Sequence, residues 1–172
     1  MGIKIALTGH TKGLGAEVTK QLEIEHQVIG FSRGNGYDIK NPFDRKKIVA
    51  ESSNADVFIN LVHNYYHQTD LLVALHKAWQ GKDKLIVNVS SSVVHNEEWA
   101  IDNHDMMEYK VQKINLETMS NNLNKINALP RLKTYTISEL DVEYDAGKIL
   151  ELINEEIPVS YTHLTLPTIL RV

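Results

Sequence analysis

The chain has 172 residues, no cysteine, and 18 basic against 22 acidic side chains, for a formal net charge of −4. That length suits one compact domain, and a 42% hydrophobic share beside 23% charged residues argues against disorder. Without cysteine there is no disulfide framework, thiolate nucleophile or zinc finger. Mild acidity speaks against a nucleic-acid binder, and no apolar run reaches the roughly 18 residues that span a bilayer. No signal or transit segment is recognisable, so the expectation is a soluble, cytoplasmic domain that binds neither nucleic acid nor membrane.

In chain order, residues 3–7 read as a short buried strand, followed by a glycine-punctuated loop and a helix over 13–25. A second strand covers 28–32. Asn41-Pro42, a cap residue with proline at the first helical position, opens a helix over 42–52. Strand 56–60, helix 68–80, strand 84–89, a long helix 103–126, strand 133–138 and helix 145–156 complete the alternation. Strands separated by helices imply a parallel, doubly wound α/β sheet in a single domain. Only Gly34-Asn35-Gly36-Tyr37 separate Arg33 from Asp38, far fewer than the dozen or so residues of a parallel crossover. The expectation is therefore five core strands in the order 2-1-3-4-5, with 34–41 as a loop over a ligand.

Thr8-Gly9-His10-Thr11-Lys12-Gly13-Leu14-Gly15 follows the first strand and opens the first helix. In that context glycines permit a tight turn and close backbone approach, and the helix N-terminus offers free N–H groups to a pyrophosphate. A tight turn without a ligand is the plainer alternative. An NAD-type site expects an acid at the end of the second strand, about 20 residues on. Here Ser32-Arg33 stand there instead, and Lys12 adds a cation within the loop. Two cations without a carboxylate suit a 2′-phosphate, hence NADP(H) on a Rossmann-like frame, the alternative being two solvated surface charges.

Four motifs occur in order: TGHTKGLG, Asn60 closing DVFIN, VNVSSS at 87–92, and Tyr109-Lys110-Val111-Gln112-Lys113. Together they resemble the short-chain dehydrogenase/reductase family over about residues 1–156, through its TGxxxGxG loop, NNAG-type strand end, serine-bearing strand end and YxxxK helix. Compact proteins carried by marine phages are similar too. Tyr109 and Lys113 are four apart, hence on one helix face. A cation beside a phenol favours its proton release, and the phenol can then exchange a proton with a carbonyl or alcohol oxygen as hydride moves. Alone, the pair would read as solvated helix surface.

The resemblance implies that Tyr109 is the acid/base, that Lys113 supports it and holds the nicotinamide ribose, and that Ser91, with Ser92 as the neighbouring alternative, anchors the substrate oxygen. It also implies cofactor contacts from Thr8, Gly9, Thr11, Lys12, Gly13, Leu14, Gly15, Ser32, Arg33, Asp38 and Asn60. The implied reaction is NADP(H)-dependent interconversion of a small-molecule carbonyl and alcohol, with an NADP(H)-sensing protein or a sugar-nucleotide epimerase as alternatives.

On the long helix, Leu116, Met119, Leu123 and Ile126 form a stripe that should pack on the sheet. Met107, Val111 and Ile114 lie opposite, and as in the family they would serve a homodimer.

Several residues depart from the family pattern. Asn60 is followed by Leu61-Val62-His63, Ser138 by Glu139-Leu140 rather than Pro-Gly, and the family's assisting asparagine has no clear match, with Gln68 only roughly at its place. His63 and His67 read as polar loop or cleft residues rather than metal ligands, and Glu139, Asp141, Glu143 and Asp145 as a solvated helix entrance. After Pro158, Val159 to Thr168 resembles one reading frame of a transposon-end sequencing adapter, which implies a metagenomic source. A genuine final strand is the alternative. Residues 1–158 are taken as the domain and 159–172 as a non-native tail.

Overall fold

The computed structural model of the chain describes residues 2–96 and 103–157; Pro158 and the adapter-like stretch lie outside them. Among these residues five strands, β1 (Lys4–Thr8), β2 (Gln27–Phe31), β3 (Val57–Asn60), β4 (Leu85–Ser91) and β5 (Arg131–Ile137), alternate with five α-helices. The helices are α1 (Gly13–Leu22), α2 (Pro42–Glu51), α3 (His67–Ala78), α4 (His104–Ile126) and α5 (Val142–Glu156). The sheet is parallel throughout, in the order β2-β1-β3-β4-β5. This is the expected Rossmann-like arrangement.

The central strands are apolar on both faces because helices cover both. Ile5, Leu7, Val57, Ile59, Leu85, Val87 and Val89 pack with α1 and α5 through Val18, Leu22, Ile149 and Ile153. The alternate residues Ala6, Phe58, Ile86 and Leu132 pack with Ile48, Leu72, Leu116 and Leu123 of α2, α3 and α4 and with Trp79 just past the end of α3. The register sets Ala6 beside Phe58, Phe58 beside Ile86 and Ile86 beside Leu132, so each row of the period-2 pattern faces one helical layer.

Local chemistry sets the helix ends. The Asn41 side chain accepts from Phe43 N at 2.9 Å with Pro42 next in line, as expected. Asn103 caps α4 by accepting from Asp105 N and Met106 N. Asp141 caps α5 by accepting from Tyr144 N, which starts that helix three residues before the expected position. The acids of this entrance are not all solvated: Asp145 is buried, accepting from the Tyr135 hydroxyl at 2.5 Å and from Asp141 N at 2.9 Å. Helix α1 ends at Leu22 rather than at 25, and β4 runs two residues longer than expected, to Ser91.

On α4, Leu116 and Leu123 are buried and Met119 packs against the core. Ile126, expected in the same stripe, is 68% exposed because it is the last residue of the helix, past the layer that covers its neighbours. Met107, Val111 and Ile114 lie exposed on the other side. Among the described residues, no helix is long and apolar enough to cross a membrane.

Candidate functional site

In a parallel sheet all carboxyl ends lie along one edge, and the strand order reverses between β1 and β3, where a crevice opens. The loop from β1 to α1 crosses it. Gly9 has φ +77°, and a Cβ there would lie 2.6 Å from Val62 Cγ2. A Cβ on Gly15 would lie 1.9 Å from the Gly9 carbonyl oxygen, so the first turn of α1 rests directly on the loop backbone. No acidic side chain sits in that turn and no side chain caps it, which leaves the amide end of the helix to an anion.

A cavity of about 370 Å³ lies over this edge, and Gly9, Thr11, Lys12, Ser32, Arg33 and Asp38 all line it. Arg33 opens a 3-10 turn (Arg33–Asn35) tied down by Asn35 Oδ1, which accepts from Ser32 N at 2.7 Å and Ser32 Oγ at 3.2 Å. The loop beyond is pinned from below by Arg45, whose Nη1 donates to the carbonyls of Ile39 and Lys40. Tyr37, Asp38 and Ile39 thereby form the far wall.

Five residues expected to contact the adenosine and phosphate end of the cofactor, Thr8, Gly13, Leu14, Gly15 and Asn60, do not line this cavity. Thr8 is buried, and its hydroxyl oxygen accepts from Leu61 N and Val62 N, both at 3.1 Å, tying β1 to the segment after β3. Asn60 is buried too, because α3 folds over the end of β3. Its Nδ2 donates to Gln68 O and to Asn88 Oδ1, each at 3.0 Å. Gly13 and Gly15 shape the turn without facing the space, and Leu14 lines a second cavity instead.

That second cavity, of about 400 Å³, is where Ser91, Tyr109 and Lys113 meet. Ser91 is the last residue of β4, and its oxygen accepts from Val93 N at 3.4 Å; Ser92 does not line this space. Tyr109 and Lys113 stand one turn apart on α4, with the ammonium 5.7 Å from the phenol ring centre. Lys113 is 3% exposed. Its Nζ donates to Gln68 Oε1 at 2.9 Å and to Val89 O at 3.0 Å. Burial pushes its pKa down from 10.5 to about 8, against the opposing charge of Glu117.

Two residues carry more than the sequence disclosed. Gln68, not assigned a role there, is buried at the foot of Lys113. Its Nε2 donates to Asn60 O at 2.8 Å and to Val89 O at 3.0 Å, which leaves Oε1 turned to the ammonium. His63 packs edge-on against the Tyr109 ring, with centroids 4.7 Å apart, and lines both cavities. Burial and, secondarily, the Lys113 charge push its pKa down to about 4, although a hydrogen bond with Gln112 opposes this. His67, by contrast, pairs with Asp70 at 3.0 Å and with Arg45. Gln68 stands in the first turn of α3, and no local pattern in residues 60–68 marks either it or His63.

The glycine cradle, the cations at the first cavity and the lysine and tyrosine at the second fit a dinucleotide laid along this edge. No family model matches the chain, and no curated protein does. Solved structures are similar to it. One is a short chain dehydrogenase from Burkholderia cenocepacia J2315 in complex with NADP, 16% identical with a TM-score of 0.73 over 89% of this chain and 84% of that one. The 3-alpha-hydroxysteroid dehydrogenase of Pseudomonas sp. B-0831, complexed with NADH, is 19% identical with a TM-score of 0.64 over 78% and 71%. A bulky-bulky ketone specific alcohol dehydrogenase from Comamonas testosteroni is 14% identical with a TM-score of 0.69 over 90% and 84%. The chain has a short-chain dehydrogenase/reductase-like fold, as its motifs implied.

Proposed function

We propose that the chain is an NADP(H)-dependent oxidoreductase that interconverts a carbonyl and an alcohol on a small molecule. The observation that carries this reading is the opening of Ser91, Tyr109 and the buried Lys113 onto one cavity, which shares a wall with another lined by Lys12 and Arg33. Lys12 and Arg33 would hold the 2′-phosphate, and Lys113 the ribose next to the nicotinamide. When bound, the dinucleotide supplies or accepts hydride at the substrate carbon.

The chain's own residues manage the proton. Ser91 donates a hydrogen bond to the substrate oxygen and orients it. In reduction the Tyr109 hydroxyl gives its proton to that oxygen, and the phenolate left behind is stabilised by the Lys113 ammonium until water restores the proton. Gln68 and Val89 O hold the ammonium in place at 2.9 and 3.0 Å. Removing Ser91 would leave the oxygen without its donor, a loss on the order of 100-fold in turnover.

A second copy of the chain is the proposed partner for the exposed Met107, Val111 and Ile114 face of α4. A second reading, NADP(H) sensing without turnover, is favoured by one feature: two of the three Lys113 ammonium protons are already committed to protein acceptors. Tyr109→Phe separates the two readings. The enzyme reading expects turnover of a carbonyl panel to be abolished while NADPH affinity is kept. If the unaltered protein binds NADPH tightly and reduces no carbonyl compound, the sensing reading replaces it.

A further inference from the structure

A third cavity, of about 420 Å³, opens beyond Ser91 at the ends of β4 and β5. It shares Ser91 and Ser138 with the cavity that holds Tyr109 and Lys113, and no described residue with the one lined by Lys12 and Arg33. A dinucleotide laid from the first cavity into the second therefore leaves the third to the substrate. Ser91 stands on the boundary, so the third cavity takes the part of the substrate that lies beyond its reacting oxygen.

The two neighbouring cavities differ in character. Leu14, Leu61, Met106, Ile137 and Leu140 give the second one an apolar wall. The third is lined by Ser91, Ser92, Asn96, Ser138 and Glu139, with Val93 the one apolar side chain among its described residues and Glu139 the one charge. Ile137 lies beside Ser91 at the end of the sheet, and Glu139 follows two residues on. The other acids of this helix entrance are turned elsewhere: Asp141 accepts from Tyr144 N, and Asp145 is buried against the Tyr135 hydroxyl. Both lysines of the YxxxK segment are engaged too, Lys113 with Gln68 and Val89 O, and Lys110 with Asn96 O at 2.6 Å. Among the described residues, none forms an ion pair or hydrogen bond with the Glu139 carboxylate.

We propose that Glu139 sets substrate choice by drawing an ammonium group of the substrate into the third cavity while the reacting oxygen rests on Ser91 and Tyr109. A carboxylate without a counter-charge, in a partly enclosed polar cavity, attracts a cation, is indifferent to an apolar group and repels another carboxylate. The substrate class is thus an amino ketone and the matching amino alcohol, and keto acids of the same size are excluded. This rests on the carbonyl–alcohol reading above and names the substrate class for it.

The probes are three ketones of one shape, each a methyl ketone joined through three methylenes to a dimethylammonium, an isopropyl or a carboxylate group. Calorimetric titration of the full chain saturated with NADP+, which has no hydride to give, reads binding. Initial rates with NADPH read turnover, in which each carbonyl takes up a hydride and a proton to become an alcohol as one NADPH is oxidised to NADP+. The dimethylammonium ketone should bind about tenfold more tightly than the isopropyl one, the effect of one charge-assisted contact partly open to water, and the carboxylate ketone most weakly. In turnover the same order should appear in KM. Glu139→Gln should bring the dimethylammonium and isopropyl ketones to within about threefold of each other, and Glu139→Lys should place the carboxylate ketone ahead of the dimethylammonium one. Thermal melting verifies that both variants fold. Three results would each overturn the proposal and leave the dinucleotide reading intact: no preference for the dimethylammonium ketone in the unaltered chain, no binding of any of the three by a chain that binds NADP+, or an unchanged order in the two variants. If the unaltered chain binds neither NADP+ nor NADPH, the dinucleotide reading itself falls and takes the proposal with it.

Discussion

Lys113→Met offers a direct test of how the catalytic side is built, because it needs neither substrate nor cofactor. The ammonium is 3% exposed, and burial lowers its pKa from the ordinary 10.5 to about 8. For a base whose folded-state value lies below its unfolded one, the charged form opposes folding. The penalty is complete below the folded value and is relieved as pH rises through the window from about 8 to 10.5. Over that gap the full penalty amounts to about 3 kcal/mol. Between about pH 7.5 and 9.5 the Lys113 contribution should change by about 2 kcal/mol in favour of folding.

Urea denaturation of the unaltered protein and of Lys113→Met at both pH values isolates this group, since the other titrating side chains are common to both. The stability gap between the two proteins should shift by about 2 kcal/mol in favour of the unaltered chain on going to the higher pH. The methionine variant should also lose NADPH affinity, the trade expected where a site keeps an unfavourable buried charge for function. Parallel pH profiles for the two proteins would refute the reasoning, because they would mean that Lys113 is not a buried, depressed base.

Two further outcomes follow from the same geometry. Lys12→Ala and Arg33→Ala should each weaken NADPH by about 1.5–3 kcal/mol and NADH much less, since each removes a charge-assisted contact to the 2′-phosphate; equal losses for both cofactors, measured by fluorescence titration, would remove that argument. Val111→Glu, which puts a charge into the exposed face of α4, should convert a dimer to a monomer in light scattering at micromolar concentration, whereas a monomeric mass for the unaltered chain would count against a second copy on that face.

The strand order was readable because each central strand is a short apolar run bounded by turn residues, and because four residues between Arg33 and Asp38 leave no room for another crossover. The glycine loop and the YxxxK spacing were readable for a similar reason: they are local patterns whose geometry follows from a turn and a helix. What escaped is non-local. Nothing in the sequence near Asn60 says that α3 will fold back over it and bury its amide against Gln68 O and Asn88. Thr8 shows the same effect, its hydroxyl consumed by two amides 53 and 54 residues away. Gln68 takes its meaning only from meeting Lys113, 45 residues on, and His63 only from where two cavities share a wall. At the carboxyl edge of a parallel sheet, the identity of the functional residues is decided by which loops cross, and that is fixed by tertiary packing.

The most direct measurement is a fluorescence titration of the full chain with NADPH and, separately, with NADH. Tight binding of NADPH and much weaker binding of NADH is the expected result, because Lys12 and Arg33 line the first cavity and the end of β2 carries no carboxylate. Equal affinity for the two, or no binding of either by the folded protein, would contradict the account.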